Sequence, residues 1–233
     1  MRDHPEKAMI FKNRREAGRL LGKELSERLF KNGYSAGRTV VIGLLRGGVP
    51  VAYEVAAVLK VPLDVAIVRK IGAPNQEELA IGAVVDGKTP KIYLNKTLLS
   101  NIGVSDEYIN KIKGIKLREI REKEKFYRSE RKRIDVYGKI VIVVDDGIAT
   151  GASIAVVVGA LKEEKPEKII IAVPVASVYT LRELEGTADD IVVLSAPEEF
   201  YAVGEFYSDF SQTDDGEVIA LLKKAELNRV VSD

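Results

Sequence analysis

Residues 141–153 read VIVVDDGIATGAS. The run Val141 to Val144 is short, wholly apolar and β-branched, which predicts a strand buried on both faces rather than a half-exposed one. It stops at two adjacent carboxylates, Asp145 and Asp146, and passes into a turn of small residues that opens a helix. Gly147, Ala149, Gly151 and Ala152 are small enough for backbone N–H groups to approach an anion. Thr150 and Ser153 add hydroxyl donors at the positive end of the helix. A bare phosphate beside two aspartates would be repelled. A ligand that also carries sugar hydroxyls and a metal ion suits both halves, so the segment reads as a cradle for a sugar phosphate.

On the N-terminal side, residues 11–31 space Leu20, Leu21, Leu25, Leu29 and Phe30 at three- and four-residue intervals between charges. That is an amphipathic helix, ended by Asn32-Gly33. A β-branched run at 39–45 leads into Arg46-Gly47-Gly48-Val49-Pro50 and an alanine-rich helix. A second strand at 63–68 ends at Arg69-Lys70. Residues 71–80 read as a polar loop, and 81–94 as a hairpin turning at Asp86-Gly87. Ser105 caps a long helix whose first turn carries Asp106 and Glu107 and which runs to about Arg133.

On the C-terminal side the alternation continues: a helix at 153–164, a strand at 168–173, a helix at 179–184, a strand at 191–194 and a short helix from Asp215. Strands alternating with helices predict an α/β fold, a mainly parallel sheet flanked by helices. Arg46-Gly47-Gly48 then lies at the sheet edge where ligands bind in open α/β sheets.

The chain has 233 residues, enough for one sizeable core with an attached subdomain. An apolar fraction of 46%, with 36 basic against 35 acidic residues, describes a chain that folds on its own and has no global field for nucleic acid or a membrane. Cysteine is absent, which excludes disulfides, thiolate catalysis and cysteine-based metal sites. The N-terminal stretch has no apolar run of signal-peptide length, so a cytoplasmic protein is expected.

Four apolar strand residues, two acids and a small-Thr-Gly-small-Ser loop resemble the phosphoribosyl pyrophosphate (PRPP) motif of type I phosphoribosyltransferases. The segments RKIGAPNQEELAIGAV and FYAVGEFYSDF are similar to a group in that family whose acceptor base has generally not been assigned. The resemblance, spanning roughly residues 38–210, implies one domain: an N-terminal helical segment at 1–37, a core at 38–195 with a β-hairpin flap at about 70–95, and a small hood subdomain at 196–226. By it, Asp145 and Asp146 hold the ribose hydroxyls and, through PRPP, a Mg2+ ion. Residues 147 and 149–153 bind the 5′-phosphate. Arg46, Gly47 and Gly48 form the pyrophosphate loop, and Arg69 and Lys70 match the family's basic position. The implied activity is transfer of phosphoribose to a nitrogen nucleophile, a nucleobase, with pyrophosphate released. A homodimer is expected, because dimers are common in that family. The hypoxanthine-guanine members carry a further acid three residues after the acidic pair. This chain has Ala149 there, so their general-base scheme does not carry over.

Five of the chain's fifteen Tyr and Phe residues fall within 200–210, and they suit either a hood stacking on a planar base or a seal over the core edge. Residues 82–89, GAVVDGKT, match the Walker phosphate-loop pattern, but a strand-like AVV and a turn at Asp-Gly contradict that reading. The segment 111–133 carries eleven basic and four acidic residues. With Ile109, Ile112, Ile120 and Phe126 interspersed it reads as a solvated helix with one packed face. The alternative is a PRPP-binding regulator that contacts nucleic acid through it. His4, the only histidine, lies in a terminus expected to fray, so no catalytic histidine is expected.

Overall fold

The structure, a computed structural model, describes residues 9–31, 33, 35–128 and 131–230. In chain order the elements are α1 (Arg14–Lys31), β1 (Thr39–Leu44), α2 (Gly48–Leu59), β2 (Leu63–Ala66), β3 (Val68–Ala73), β4 (Gln76–Val85) and β5 (Lys91–Leu94). There follow α3 (Lys96–Ile102), α4 (Asp106–Arg128), β6 (Ile140–Val144) and α5 (Ala152–Glu163). The chain closes with β7 (Lys168–Val175), α6 (Val178–Glu183), β8 (Asp190–Ser195) and α7 (Asp215–Val230). They form two compact units, one built from residues up to 65 together with those from 134 onward, the other from residues 66–133. His4 lies outside the described residues.

The first unit is built on a five-stranded sheet in the order β2-β1-β6-β7-β8. The β1–β6, β6–β7 and β7–β8 pairings are parallel, the expected mainly parallel arrangement. Every residue of β1 and β6 is buried, which is why both read as unbroken apolar runs. Burying the five apolar side chains of β6 contributes roughly 10 kcal/mol at most, taken at about 2 kcal/mol each. The β1–β6 register pairs Gly43 with Val144. The loops that begin at Leu45 and Asp145 therefore leave the sheet side by side.

Helix α1 starts at Arg14 rather than Phe11, because Asn13 caps it: its Oδ1 accepts from the Glu16 N–H at 3.0 Å, and Glu16 reaches back to the Lys12 N–H at 2.5 Å. Leu21, Leu25 and Leu29 are buried as their spacing predicts. The helix approaches α2 closely at Gly18, where a Cβ would stand 2.6 Å from the Val51 carbonyl. At the start of β2, Asp64 is buried and accepts from the Val65 N–H at 2.8 Å and the Ile134 N–H at 2.9 Å. It thereby ties down the point where the chain re-enters the unit. Helix α7 has 16 residues and is not the short helix expected.

The second unit holds the antiparallel sheet β3-β4-β5 with α3 and α4. Residues 71–80 are not the polar loop that their composition suggests. They are the end of β3, a tight turn at Pro74-Asn75 and the first half of β4, with Asn75 at φ 60°. Asparagine tolerates that left-handed conformation, and the strands gain the pairing that local propensity did not show. The hairpin across Asp86-Gly87 is present, pairing Val85 with Lys91. Gly82 lies in β4, where a Cβ would meet the Tyr93 carbonyl at 2.3 Å, so this glycine serves strand packing. The Walker reading fails, since its residues continue from strand into hairpin turn.

Helix α4 ends at Arg128, not Arg133. Ser105 caps it, accepting from the Tyr108 N–H at 3.2 Å. Its packed face is Ile109, Ile120 and Tyr127, whereas Phe126 is half exposed. Arg128 is buried and donates to Asp86 Oδ2 at 2.7 Å, while Asp86 Oδ1 accepts from the Ile67 N–H at 2.7 Å.

Candidate functional site

The parallel β1–β6 pairing sets two loops against one another. Leu45-Arg46, joined by a cis peptide, turn into α2 through Gly47 and Gly48. Beside them Asp145 and Asp146 leave β6. A Cβ on Gly47 would stand 2.1 Å from Asp146 Oδ2, and one on Gly48 2.9 Å from Asp145 Oδ1 and 2.8 Å from the Val144 carbonyl. Only glycine lets this loop lie so close to the carboxylates.

The Asp146 N–H donates to Asp145 Oδ1 at 2.9 Å, and Arg14 Nε donates to Asp146 Oδ2 at 2.8 Å. One oxygen of each acid is thus engaged by the fold, and the two carboxyl groups also lie within hydrogen-bond reach of each other. Burial pushes the Asp145 carboxyl well above the usual range, and the neighbouring charge of Asp146 adds to it. Burial also raises Asp146, although the Arg14 guanidinium opposes the rise. The Tyr207 hydroxyl donates to the Asp146 carbonyl at 2.6 Å, and burial, then the charge of Asp146, keeps that phenol protonated.

Past the acids, Gly147 passes under Val203 and Val175, with no room for a Cβ, which would meet Val203 at 2.5 Å. The Ile148 N–H donates to the Val175 carbonyl at 2.9 Å, and the Thr180 hydroxyl to the Ala149 carbonyl at 2.5 Å. These bonds hold the loop from β7 and α6 while Ala149 and Thr150 stay exposed. Helix α5 begins at Ala152, capped by Gly151 at φ 71° with no side-chain cap. Its first amides are left for an anion. Ala152 and Ser153 lie in that first turn.

Arg46 Nη1 stands 3.3 Å from Asp215 Oδ1 in the first turn of α7, a half-exposed pair of little energetic weight. The structure therefore assembles Arg46, Gly47, Gly48, Asp145, Asp146, Gly147, Ala149, Thr150, Gly151, Ala152 and Ser153 within the first unit. Arg69 and Lys70 lie on β3 of the second unit, where Arg69 Nε is 3.7 Å from Glu119.

Arg14, Tyr207 and Asp215 escaped the reading of the sequence. One signal was present for Arg14: Arg14-Arg15 open a helix, where the dipole disfavours cations unless carboxylates face them. The aromatic segment divides between its two readings. Phe206 and Tyr207 are buried with Phe11, Ala17 and Val175, and Phe200 stacks on Phe206 at 5.1 Å. Tyr201 is 82% exposed, and Phe210, partly exposed, packs on Tyr207.

Among the described residues no three Asp, Glu or His side chains gather to hold a metal. The acidic pair fits Mg2+ of the kind that arrives with its ligand, since that ion takes one or two carboxylates and completes its shell with phosphates and water.

A model of the phosphoribosyl transferase domain matches residues 13–210. Two strain versions of a Mycobacterium tuberculosis protein named "Putative phosphoribosyl transferase" are 38% identical over 216 residues, covering 93% of this chain and 47% of theirs. The chain spans about half the length of these curated relatives. The crystal structure of TT1426 from Thermus thermophilus is 38% identical, with a TM-score of 0.78, covering 93% of this chain and 99% of that one.

Proposed function

The chain belongs to the phosphoribosyl transferase domain family, and from that premise we propose that it binds PRPP with Mg2+ and transfers phosphoribose to a nitrogen nucleophile of nucleobase type, releasing pyrophosphate. One observation carries the reading: two adjacent, largely buried carboxylates, each with one oxygen engaged by the fold, stand between a glycine turn and an uncapped helix N-terminus. A vicinal diol bearing phosphates at both ends needs that sequence of groups.

Asp145 Oδ2 and Asp146 Oδ1 accept the ribose hydroxyls. The amides at 150–153 and the hydroxyls of Thr150 and Ser153 receive the 5′-phosphate at the positive end of α5. The bond from C1′ to the pyrophosphate oxygen breaks, its electron pair leaving with pyrophosphate, and the nitrogen lone pair forms the new bond to C1′. Arg46 and the amides of Gly47 and Gly48 stabilise the charge gathering on the leaving group. Arg46 exchanges Asp215 for the pyrophosphate. Mg2+ would be held by PRPP together with the Asp145–Asp146 pair and would supply further neutralisation of that charge. Ala149 offers no proton acceptor, so the acceptor nitrogen loses its proton to another group or to water.

Calorimetric titration with Mg2+ and PRPP tests the binding, and a panel of purines and pyrimidines with pyrophosphate release monitored tests the transfer. Binding and release with one base establish both. Binding without release from any base refutes the transfer, and the absence of binding refutes the site. A wild-type PRPP affinity in Asp145→Asn plus Asp146→Asn refutes the roles given to the acids.

A further inference from the structure

Arg14 is an anomaly until its surroundings are considered. It is the first residue of α1, at the end of the helix where a positive charge is unfavourable. Its side chain is nevertheless only 11% exposed. Three contacts hold it there. Nε donates to Asp146 Oδ2 at 2.8 Å, Nη1 donates to the Ser211 carbonyl at 2.7 Å, and the guanidinium lies 3.8 Å over the Phe210 ring. Phe210 in turn packs on Tyr207, whose hydroxyl donates to the Asp146 carbonyl. Asp146 is thus gripped twice, at its side chain by Arg14 and at its backbone by Tyr207.

The segment that delivers Arg14 is itself stitched down. The Phe11 N–H donates to the Phe206 carbonyl at 2.8 Å, the Ser208 N–H to the Phe11 carbonyl at 2.8 Å, and the Asp209 N–H to the Lys12 carbonyl at 3.0 Å. Asn13 then starts the helix so that Arg14 leaves the backbone at its first position. The neighbour Arg15 serves as a built-in contrast. It sits in the same turn, is 46% exposed, and reaches only Glu217 at 3.9 Å.

We propose that Arg14 is a positioning residue for recognition of the ribose diol, its guanidinium holding one oxygen of Asp146 so that the other is presented, beside Asp145, to a sugar hydroxyl. Two adjacent carboxylates repel each other when both are ionised, so a cation on one of them steadies the pair. The guanidinium bonded to Oδ2 and the bare α-carbon of Gly47 packed against that same oxygen together fix the orientation of Asp146. Arg14 touches neither phosphate nor reacting carbon, and acts through Asp146 alone. The inference rests on the ribose reading of the acidic pair.

The test titrates Mg2+ and PRPP into the wild type, Arg14→Ala and Arg15→Ala, each with and without free guanidinium. Arg14→Ala is expected to lose about ten- to a hundredfold in affinity, the range of one hydrogen bond to a charged group. Arg15→Ala stays within about twofold, and free guanidinium restores affinity only to Arg14→Ala. An unchanged Arg14→Ala, an equal loss in Arg15→Ala, or a loss that guanidinium does not reverse overturns the proposal. If Arg14→Ala lacks a cooperative melt, Arg14→Gln, which keeps the stem and one donor, is titrated in its place. A wild type that does not bind PRPP refutes the ribose reading itself. A wild type that binds while Arg14→Ala matches it refutes only the assignment to Arg14.

Discussion

Replacing Gly47 by alanine adds one carbon at the point where the two loops touch. That Cβ would stand 2.1 Å from Asp146 Oδ2 and 2.9 Å from its Cγ, whereas ordinary contact begins at 3.4 Å. The carboxylate must swing away by more than an ångström, which breaks the 2.8 Å bond from Arg14. Because the obstructed atoms are the end of a side chain, the fold can yield there, and a stability loss of about 1–2 kcal/mol is expected, the low end of overpacking. Ligand affinity has no such relief, because moving Oδ2 and Cγ also turns Oδ1, the oxygen of Asp146 assigned to the ribose. Losing one charged hydrogen bond of about 1.5–3 kcal/mol lowers PRPP affinity roughly ten- to 150-fold. Gly48→Ala is the comparison: its Cβ would meet backbone as well as side chain, the Val144 carbonyl at 2.8 Å and Asp145 Cα and Oδ1 at 2.9 Å, so it loses more stability than Gly47→Ala besides losing affinity. Melting curves beside calorimetric titrations separate the two. A folded Gly47→Ala that binds PRPP like the wild type refutes the argument that Asp146 carries the ribose contact.

Asp145→Asn should stabilise the protein while removing PRPP affinity. The raised carboxyl of Asp145 means that its ionised form costs stability, a cost absent below the unfolded pKa near about 3.9 and growing as pH climbs through the folded value. The gain in melting temperature should therefore appear on the alkaline side and vanish toward about pH 4, and an equal gain at both ends refutes the cause. In the second unit, Asp86→Asn removes one of the two carboxylates paired with Arg128, Glu124 remaining at 3.3 Å, and should cost about 1–3 kcal/mol in urea unfolding, whereas Asp86→Asn with Arg128→Met should cost less than the two single changes added together. Additive costs refute the buried pair. Gly18→Ala would place a Cβ 2.6 Å from the Val51 carbonyl and force α1 from α2, lowering stability by about 1–3 kcal/mol. A melting temperature within a degree of wild type contradicts that close packing.

The legible parts of this protein are those whose cause is local. Strands β1 and β6 can be read because burial on both faces favours runs rich in β-branched residues, and each is followed within a few residues by glycine where the chain must bend beside its neighbour. The Ser105 cap and the acids behind it mark the start of α4 for the same reason. Residues 71–80 do not look like strand in the sequence because the strand character of 76–80 comes from pairing with β3 across the Pro74-Asn75 turn, not from residue preference. The end of α4 has no local mark, because charges continue past Arg128 with nothing in their pattern to stop a helix.

The candidate site was legible in its ligand-facing half and silent in its supporting half. Asp145-Asp146 and the glycine turns announce themselves, because a ligand dictates the residues that touch it. Arg14 reaches Asp146 across 132 positions, Tyr207 across 61, and Asp215 reaches Arg46 across 169. No periodicity carries information over such separations; the fold alone brings them together. The family match begins at residue 13 and ends at 210, and the segment carrying Arg14 and the ring of Phe210 that covers it stand at those two ends. Two adjacent buried acids are unfavourable by themselves, and a guanidinium brought from one end of the domain under an aromatic brought from the other offsets them. The closing of the domain on itself is then part of what makes its acidic pair usable.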